Sequence, residues 1–92
     1  MSTLTAPRLV SSRDQARELV LSLPADLSDV AVVVDCSALK ASTPSFVDEL
    51  VKLVLVERHA TRLIFQSAPD RTVELARRAA TNREVVDRLQ VS

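Results

Sequence analysis

The run Val30-Ala31-Val32-Val33-Val34 constrains the fold of this chain more than any other feature. Four of its five residues are β-branched, and no polar residue interrupts it. Runs of this kind are typical of strands buried on both faces, as in a parallel sheet covered by helices. A second short run, Leu63-Ile64-Phe65, has the same character. The sequence therefore predicts at least two buried strands at the centre of the molecule.

Helical patterns alternate with these strands. The first covers residues 13–22, behind a capping-box signal formed by Ser12 and Gln15. The second opens on Thr43-Pro44, because Thr is a good N-cap and Pro at the first helical position loses no hydrogen bond. The third starts at Pro69-Asp70. This alternation predicts an α/β fold with a small, mostly parallel sheet and right-handed crossovers.

The two ends of the chain are expected to be less regular. Residues 1–7 are small and polar without periodicity, which predicts a flexible N-terminus, with a single domain over residues 8–92. Arg8-Leu9-Val10 is a candidate short edge strand, and Asn82 a candidate end of the third helix. Residues 85–89 suggest one more short helical piece.

The composition excludes several functional classes. Glycine is absent, which removes the phosphate loops that depend on it. The 12 basic and 12 acidic residues balance and aromatic residues are 2%, so we expect no nucleic-acid partner. No segment is long and apolar enough to span a membrane, and no signal peptide is evident, which predicts a cytoplasmic protein. Cys36 is expected to be a buried, reduced thiol, and Cys36 and His59 alone cannot make a zinc site; we expect no metal and no cofactor.

The second helix presents the most informative side chains. Ser45, Asp48, Glu49 and Lys52 lie at spacings of three and four residues, so we expect them to share one exposed polar stripe. A phosphate on Ser45 would be favoured by the partial positive charge of the helix N-terminus. It would be opposed by the neighbouring carboxylates and would add about −1.5 to −2 charges to the stripe. A local alternative is that Ser42, Thr43 and Ser45 are ordinary capping residues.

Two segments resemble a known family. Val32-Val33-Val34-Asp35-Cys36-Ser37-Ala38-Leu39, followed by Ser42-Thr43-Pro44-Ser45-Phe46-Val47-Asp48-Glu49-Leu50, resembles the centre of STAS domains, the anti-sigma-factor-antagonist superfamily. The match is closest to a STAS-like branch of unknown function whose helix begins Ser-Phe-x-Asp-Glu. Ser12-Arg13-Asp14-Gln15-Ala16 resembles the first helix of the same branch. Thr43 stands at the family's Asp position and Phe46 at its Gly.

The resemblance implies a non-enzymatic, bacterial regulatory module. It implies a protein partner, either an anti-sigma factor or a histidine-kinase-like ATPase. The phosphorylated position of anti-sigma-factor antagonists falls on Ser45, counting from Asp35, and Thr43 is the second candidate. The predicted docking surface comprises Ser42, Thr43, Ser45, Asp48, Glu49 and Lys52.

One alternative remains open: the chain can be an assembly subunit that uses the same fold to form an oligomer without phosphorylation. A receiver domain with Asp35 as phosphate acceptor is disfavoured, because such a site needs Mg²⁺ held by further carboxylates and no acidic pair closes a neighbouring apolar strand. The more ordinary role of Asp35 is to cap the loop after its strand. The Arg71, Arg77, Arg78 and Arg83 group is expected to be a solvated face or a contact for an acidic partner.

Overall fold

The computed structural model describes residues 1–92 and contains one four-stranded sheet. Its strands are β1 (Ser2–Thr5), β2 (Ala31–Asp35), β3 (Arg62–Gln66) and β4 (Leu89–Val91). They lie side by side in the order β1-β2-β3-β4, and every neighbouring pair is parallel. The predicted α/β class with a small parallel sheet is confirmed.

Helical segments connect the successive strands. Helix α1 (Arg13–Leu19) continues into a 3₁₀ turn over Val20–Ser22. Helix α2 (Pro44–Val51) continues into a π-helical segment over Lys52–Glu57. Helix α3 (Asp70–Asn82) precedes a 3₁₀ turn, Val86–Arg88, and β4. None of these helices is long and apolar enough to cross a membrane.

Side-chain caps fix where the first two helices begin, as predicted. The Ser12 hydroxyl accepts from the backbone N–H of Gln15, and the Gln15 side chain accepts from the backbone N–H of Ser12, which completes the capping box. Thr43 caps α2 and Pro44 is its first residue. Asn82 is the last residue of α3, also as predicted.

The two ends of the chain differ from expectation. Residues 2–5 form β1 and pair with β2 from Ser2 to Thr5, so the prediction of a flexible terminus over residues 1–7 is wrong. Arg8-Leu9-Val10 is not a strand of the sheet; Leu9 makes an isolated bridge to Ala41. β4 was not predicted, because its three residues are too few for their alternation to indicate a strand.

All three helices cover one face of the sheet. Right-handed crossovers between sequential parallel strands place every connecting helix on the same side. The side chains of β2 and β3 that point to this side, such as Val32 and Phe65, are at most 1% exposed. Val33 points the other way and is partly exposed. The expectation that β2 is buried on both faces is therefore wrong for a single copy of the chain.

Helix α2 is the middle helix of the layer and packs against α1 on one side and α3 on the other. Three consecutive side chains of its π-helical extension, Leu53, Val54 and Leu55, are buried. The wider i→i+5 turns, seen for example where Arg58 N–H donates to the Leu53 carbonyl, bring adjacent residues into the core. The sequence pattern predicted the length of this segment to about residue 57 but not its π geometry.

Three residues take left-handed backbone conformations that glycine would normally supply: His59, Ser67 and Glu84. Glu84 follows the end of α3, where its N–H donates to the Thr81 carbonyl and Val85 N–H donates to the Ala80 carbonyl. These two bonds form a Schellman motif with a non-glycine residue at its left-handed position. The absence of glycine thus leaves a strained residue at this helix end.

Candidate functional site

The hydroxyl groups at the start of α2 have different environments. Ser42 Oγ lies 2.7 Å from Thr72 Oγ1 in a hydrogen bond between side chains. Thr43 Oγ1 donates to the Ser11 carbonyl at 2.9 Å and accepts from the N–H of Phe46 at 3.3 Å. The Ser45 side chain has no hydrogen-bond partner within the chain and is exposed. Of the predicted hydroxyls, Ser45 alone is free to react or to bind.

Ser45 lies in a groove between α2 and α3, which we call the α2–α3 groove. The groove has a volume of about 300 Å³. It is lined by side chains of both helices and of the start of α1: Arg13, Pro44, Ser45, Asp48, Leu75, Arg78, Ala79 and Asn82. The capping geometry of Thr43 and Pro44 sets the helix start, and this places Ser45 in the first turn, facing α3.

Asp48 lines the groove and forms ion pairs with two arginines. Arg83 binds it through two hydrogen bonds, at 2.9 Å to Oδ1 and 2.8 Å to Oδ2. Arg13 adds a third at 3.0 Å to Oδ2. Hydrogen bonding by Arg83 is the main reason that the pKa of Asp48 is lowered, with partial burial opposing it and Arg13 reinforcing it. Asp48 therefore ties α1, α2 and α3 together as well as lining the groove.

Glu49 is 1% exposed and does not belong to the surface. Its carboxylate accepts from Arg13 at 3.0 Å and Arg17 at 3.2 Å, and lies 3.4 Å from Lys52 Nζ. Burial is the largest influence and would raise the pKa of Glu49, but the hydrogen bonds of Arg13 and Lys52 and the charges of Lys52 and Arg17 together lower it. Glu49 is thus an ionised carboxylate that joins α2 to α1.

The predicted exposed stripe is therefore wrong in part. Ser45 is exposed, Asp48 and Lys52 are partly exposed, and Glu49 is enclosed. Lys52 is also engaged, because its ammonium group bridges Glu49 and Glu57. A helix with one neighbour would leave these charges in solvent, but α2 lies between two helices, and its polar flanks face their arginines.

Other residues singled out from the sequence have structural environments. Asp35 accepts from the N–H of Ser37 at 2.9 Å, which caps the loop after β2 as expected and lowers the pKa of Asp35. No three acidic, histidine or cysteine side chains lie close enough together to hold a metal ion. Cys36 is buried and free as predicted, and burial raises its pKa to about 11. His59 is exposed and follows the π-helical segment, at the opposite end of that segment from Ser45.

Sequence reasoning named Arg78 as part of an exposed arginine group but did not place it, or Arg13, beside Ser45. Arg78 lines the groove and pairs with Glu74 at 3.1 Å, while Arg13 enters it from α1. The face of α3 that lines the groove could have been found from helical spacing. Positions three and four residues apart share one face of a helix, and this spacing groups Leu75, Arg78, Ala79 and Asn82. Nothing in the sequence indicated that Arg13 reaches α2, since that contact spans 35 residues.

A second groove lies on the other side of the α2 N-terminus. It has a volume of about 260 Å³ and is lined by Pro7, Val10, Gln15, Glu18, Leu19 and Phe46. Phe46 is 3% exposed and belongs mainly to the core. This groove lacks the free hydroxyl and the arginines that distinguish the α2–α3 groove.

No family model matches this sequence, and no curated protein or solved structure is significantly similar to it.

Proposed function

We propose that this chain is a non-enzymatic regulatory module of the cytoplasm, in which the α2–α3 groove receives a protein partner and phosphorylation of Ser45 controls that binding. The observation that carries the proposal is the state of the Ser45 hydroxyl. It is exposed, has no partner within the chain and lies in a groove of about 300 Å³.

The hydrogen bonds of the neighbouring hydroxyls support Ser45 over Thr43 as the modified residue. Thr43 Oγ1 caps α2 and also binds the Ser11 carbonyl, so a phosphate there would remove the cap. Losing such a cap typically costs about 1 kcal/mol of helix stability. A phosphate on Ser45 disturbs no hydrogen bond of the chain.

The charges of the groove explain how a phosphate at Ser45 would act. The modification adds about −1.5 to −2 charges near the N-terminus of α2, where the helix dipole favours an anion. Arg13 and Arg78 line the same groove and supply cations that can bind phosphate oxygens. Asp48 opposes the added charge, but Arg83, which does not line the groove, already pairs with Asp48 through two hydrogen bonds. The fold is therefore expected to tolerate the phosphate while the surface offered to a partner changes sign.

The class of partner follows from the resemblance of the β2–α2 region to STAS domains. It implies an anti-sigma factor or a histidine-kinase-like ATPase that acts on Ser45. The groove is consistent with a protein partner, because it carries charges of both signs; Leu75 and Ala79 form part of its wall but are only 3% and 6% exposed.

Phosphorylation of the purified chain tests the proposal. The chain is incubated with ATP and each histidine-kinase-like ATPase encoded in the source genome, and its intact mass is recorded. The proposal predicts the addition of one phosphate that maps to Ser45. The Ser45→Ala variant should gain none, and Thr61→Ala, which alters an exposed hydroxyl outside the groove, should be modified normally. A phosphate on another residue, or none with any of these ATPases, would refute the phosphorylation step.

A further inference from the structure

The face of the sheet that carries no helix has an unusual combination of residues. Register places its side chains in three rows across the strands: Thr3, Val33, Ile64 and Gln90 in the middle row, Thr5, Asp35 and Gln66 at the carboxyl end, and Ala31 and Arg62 at the amino end. None of these residues is buried. We call this surface the open face.

An exposed face is out of keeping with an all-parallel sheet. Such sheets are almost always covered on both sides. The two central strands place aliphatic side chains at the middle of the open face, with Val33 beside Ile64 and Ala31 one step away. Uncharged Thr and Gln surround them. The surface therefore has an apolar centre and a polar rim, which is the anatomy of a protein interface.

The open face has only two charges, and they are opposite. Arg62 starts β3, and Asp35 ends the neighbouring β2, four positions further along the register. This separation is about 13 Å along the strands. Neither Arg62 nor Asp35 has a salt-bridge partner within the chain, and the hydrogen bonding of the Asp35 carboxylate is to Ser37 alone. The face is electrically neutral and carries one charge at each end.

We infer that the open face is the contact surface of a homodimer in which two sheets stack with their strands antiparallel. A two-fold axis that crosses the strands at the middle row stacks β2 on β2 and β3 on β3, each reversed. The Val33 and Ile64 side chains of both copies then meet at the centre. Arg62 of each copy projects into the same layer, about 10 Å thick, as the partner subunit's Asp35.

The charge arrangement selects this orientation over its alternative. An axis parallel to the strands would stack β3 on β2 in the same direction, which brings the two Arg62 side chains to one end and the two Asp35 side chains to the other. Like charges in an interface oppose association, whereas the antiparallel arrangement pairs each charge with its opposite. A second copy is therefore an occupant that the charges fit, because a two-fold contact pairs both charges of each copy with the opposite charges of the same surface on the other copy.

The size of the face sets the strength of the contact. Four strands about 4.8 Å apart and three to five residues long give at most roughly 300 Å² of projected area on each copy. A pair of such faces lies below the roughly 1,200 Å² at which standard stable interfaces begin. The dimer is therefore weak and depends on concentration. The α2–α3 groove lies in the helical layer on the other side of the sheet and stays accessible in both copies.

Sedimentation velocity of the full chain between roughly 10 µM and 1 mM, a range that spans weak association, tests the inference. The wild-type protein is expected to pass from monomer to dimer over this range. Ile64→Lys is expected to remain monomeric throughout. A protein that stays monomeric up to about 1 mM, or a dimer that persists in Ile64→Lys, overturns the inference.

A charge exchange tests the orientation and does not depend on the apolar centre. Asp35→Arg and Arg62→Asp are each expected to weaken the dimer by about tenfold or more, because the two-fold axis repeats the change at two sites. The double variant Asp35→Arg/Arg62→Asp is expected to return to within about threefold of wild type. Arg77→Asp makes the same change of charge on the exposed side of α3 and should leave the dimer unchanged.

The variants are compared only where circular dichroism and urea denaturation show a native fold. Failure of the double variant to regain association overturns the antiparallel arrangement. None of the substitutions lies in the α2–α3 groove, so these results are independent of whether Ser45 is phosphorylated.

Discussion

Replacing Glu49 by Gln tests whether the buried carboxylate holds α1 against α2. The substitution preserves size and removes the charge. The carboxylate of Glu49 is 1% exposed and lies 3.0 Å from Arg13, 3.2 Å from Arg17 and 3.4 Å from Lys52. A Gln side chain offers one acceptor instead of two oxygens, and its NH₂ group must face a cationic donor.

The expected loss of stability depends on how deeply the Glu49 carboxylate and its three cationic partners are buried. The three cations are 29–54% exposed, so water solvates them again when the carboxylate is lost. The full 3–5 kcal/mol of an isolated buried charge is therefore not expected. What remains is the loss of charge-assisted hydrogen bonds, worth about 2 kcal/mol. For a domain of this size, that lowers the melting temperature by roughly 8–16 °C.

Urea denaturation at about pH 7 measures the difference in unfolding free energy between the wild type and Glu49→Gln, with Glu74→Gln as the matched control. Glu74 also binds two arginines, Arg71 and Arg78, but its side chain is 57% exposed. Exposed pairs contribute at most about 1 kcal/mol, so the control should change stability by less than half as much as Glu49→Gln. Equal effects for the two variants, or a loss below about 0.5 kcal/mol for Glu49→Gln, would refute the structural role assigned to Glu49.

Three further predictions concern a helix end, acid stability and the thiol. Glu84→Gly should raise the free energy of unfolding by about 1 kcal/mol, because glycine relieves the left-handed residue after α3; an unchanged urea midpoint would contradict this. Stability should fall as the pH drops below about 4.5, because the pKa values of Asp48 and Glu49 are lowered in the folded state and the unfolded chain therefore binds protons first; a urea midpoint that stays constant down to about pH 3 would contradict it. Cys36, with a pKa of about 11 and a buried side chain, should react with a thiol reagent at about pH 8 only as fast as the chain opens, and rapid reaction of the native protein would argue against that burial.

Much of the fold follows from local signals in the sequence. The capping box at Ser12, the Thr43-Pro44 helix start and the β-branched run of β2 each act within a few residues, so the pattern predicts them directly. β1 was missed because Ser2–Thr5 is short and polar, and its strand conformation depends on pairing with residues about 30 positions away. β4 was missed because it has only three residues, and its strand conformation likewise depends on pairing with distant residues, those of β3.

The candidate site was only partly predictable. The position of Ser45 in the first turn of α2 follows from the helix start alone. Its surroundings depend on how α1 and α3 pack, and no local pattern encodes that arrangement. Helical periodicity assigned Glu49 to the surface. A helical wheel separates apolar from charged positions, but it does not show which neighbouring helices cover the charged ones. Arg13 and Arg17 pair with Glu49 across more than 30 residues of sequence.

The regulatory role of Ser45 is tested most directly by the affinity of a partner for charged and uncharged variants. Isothermal calorimetry with the ATPase or anti-sigma factor that recognises the wild-type chain compares Ser45→Asp with Ser45→Asn, which has the same size and no charge. We predict that Ser45→Asp binds at least about tenfold more weakly than wild type and that Ser45→Asn binds within about threefold of it. Equal affinity of the partner for wild type, Ser45→Asp and Ser45→Asn would contradict the proposal that this groove is a charge-controlled docking site.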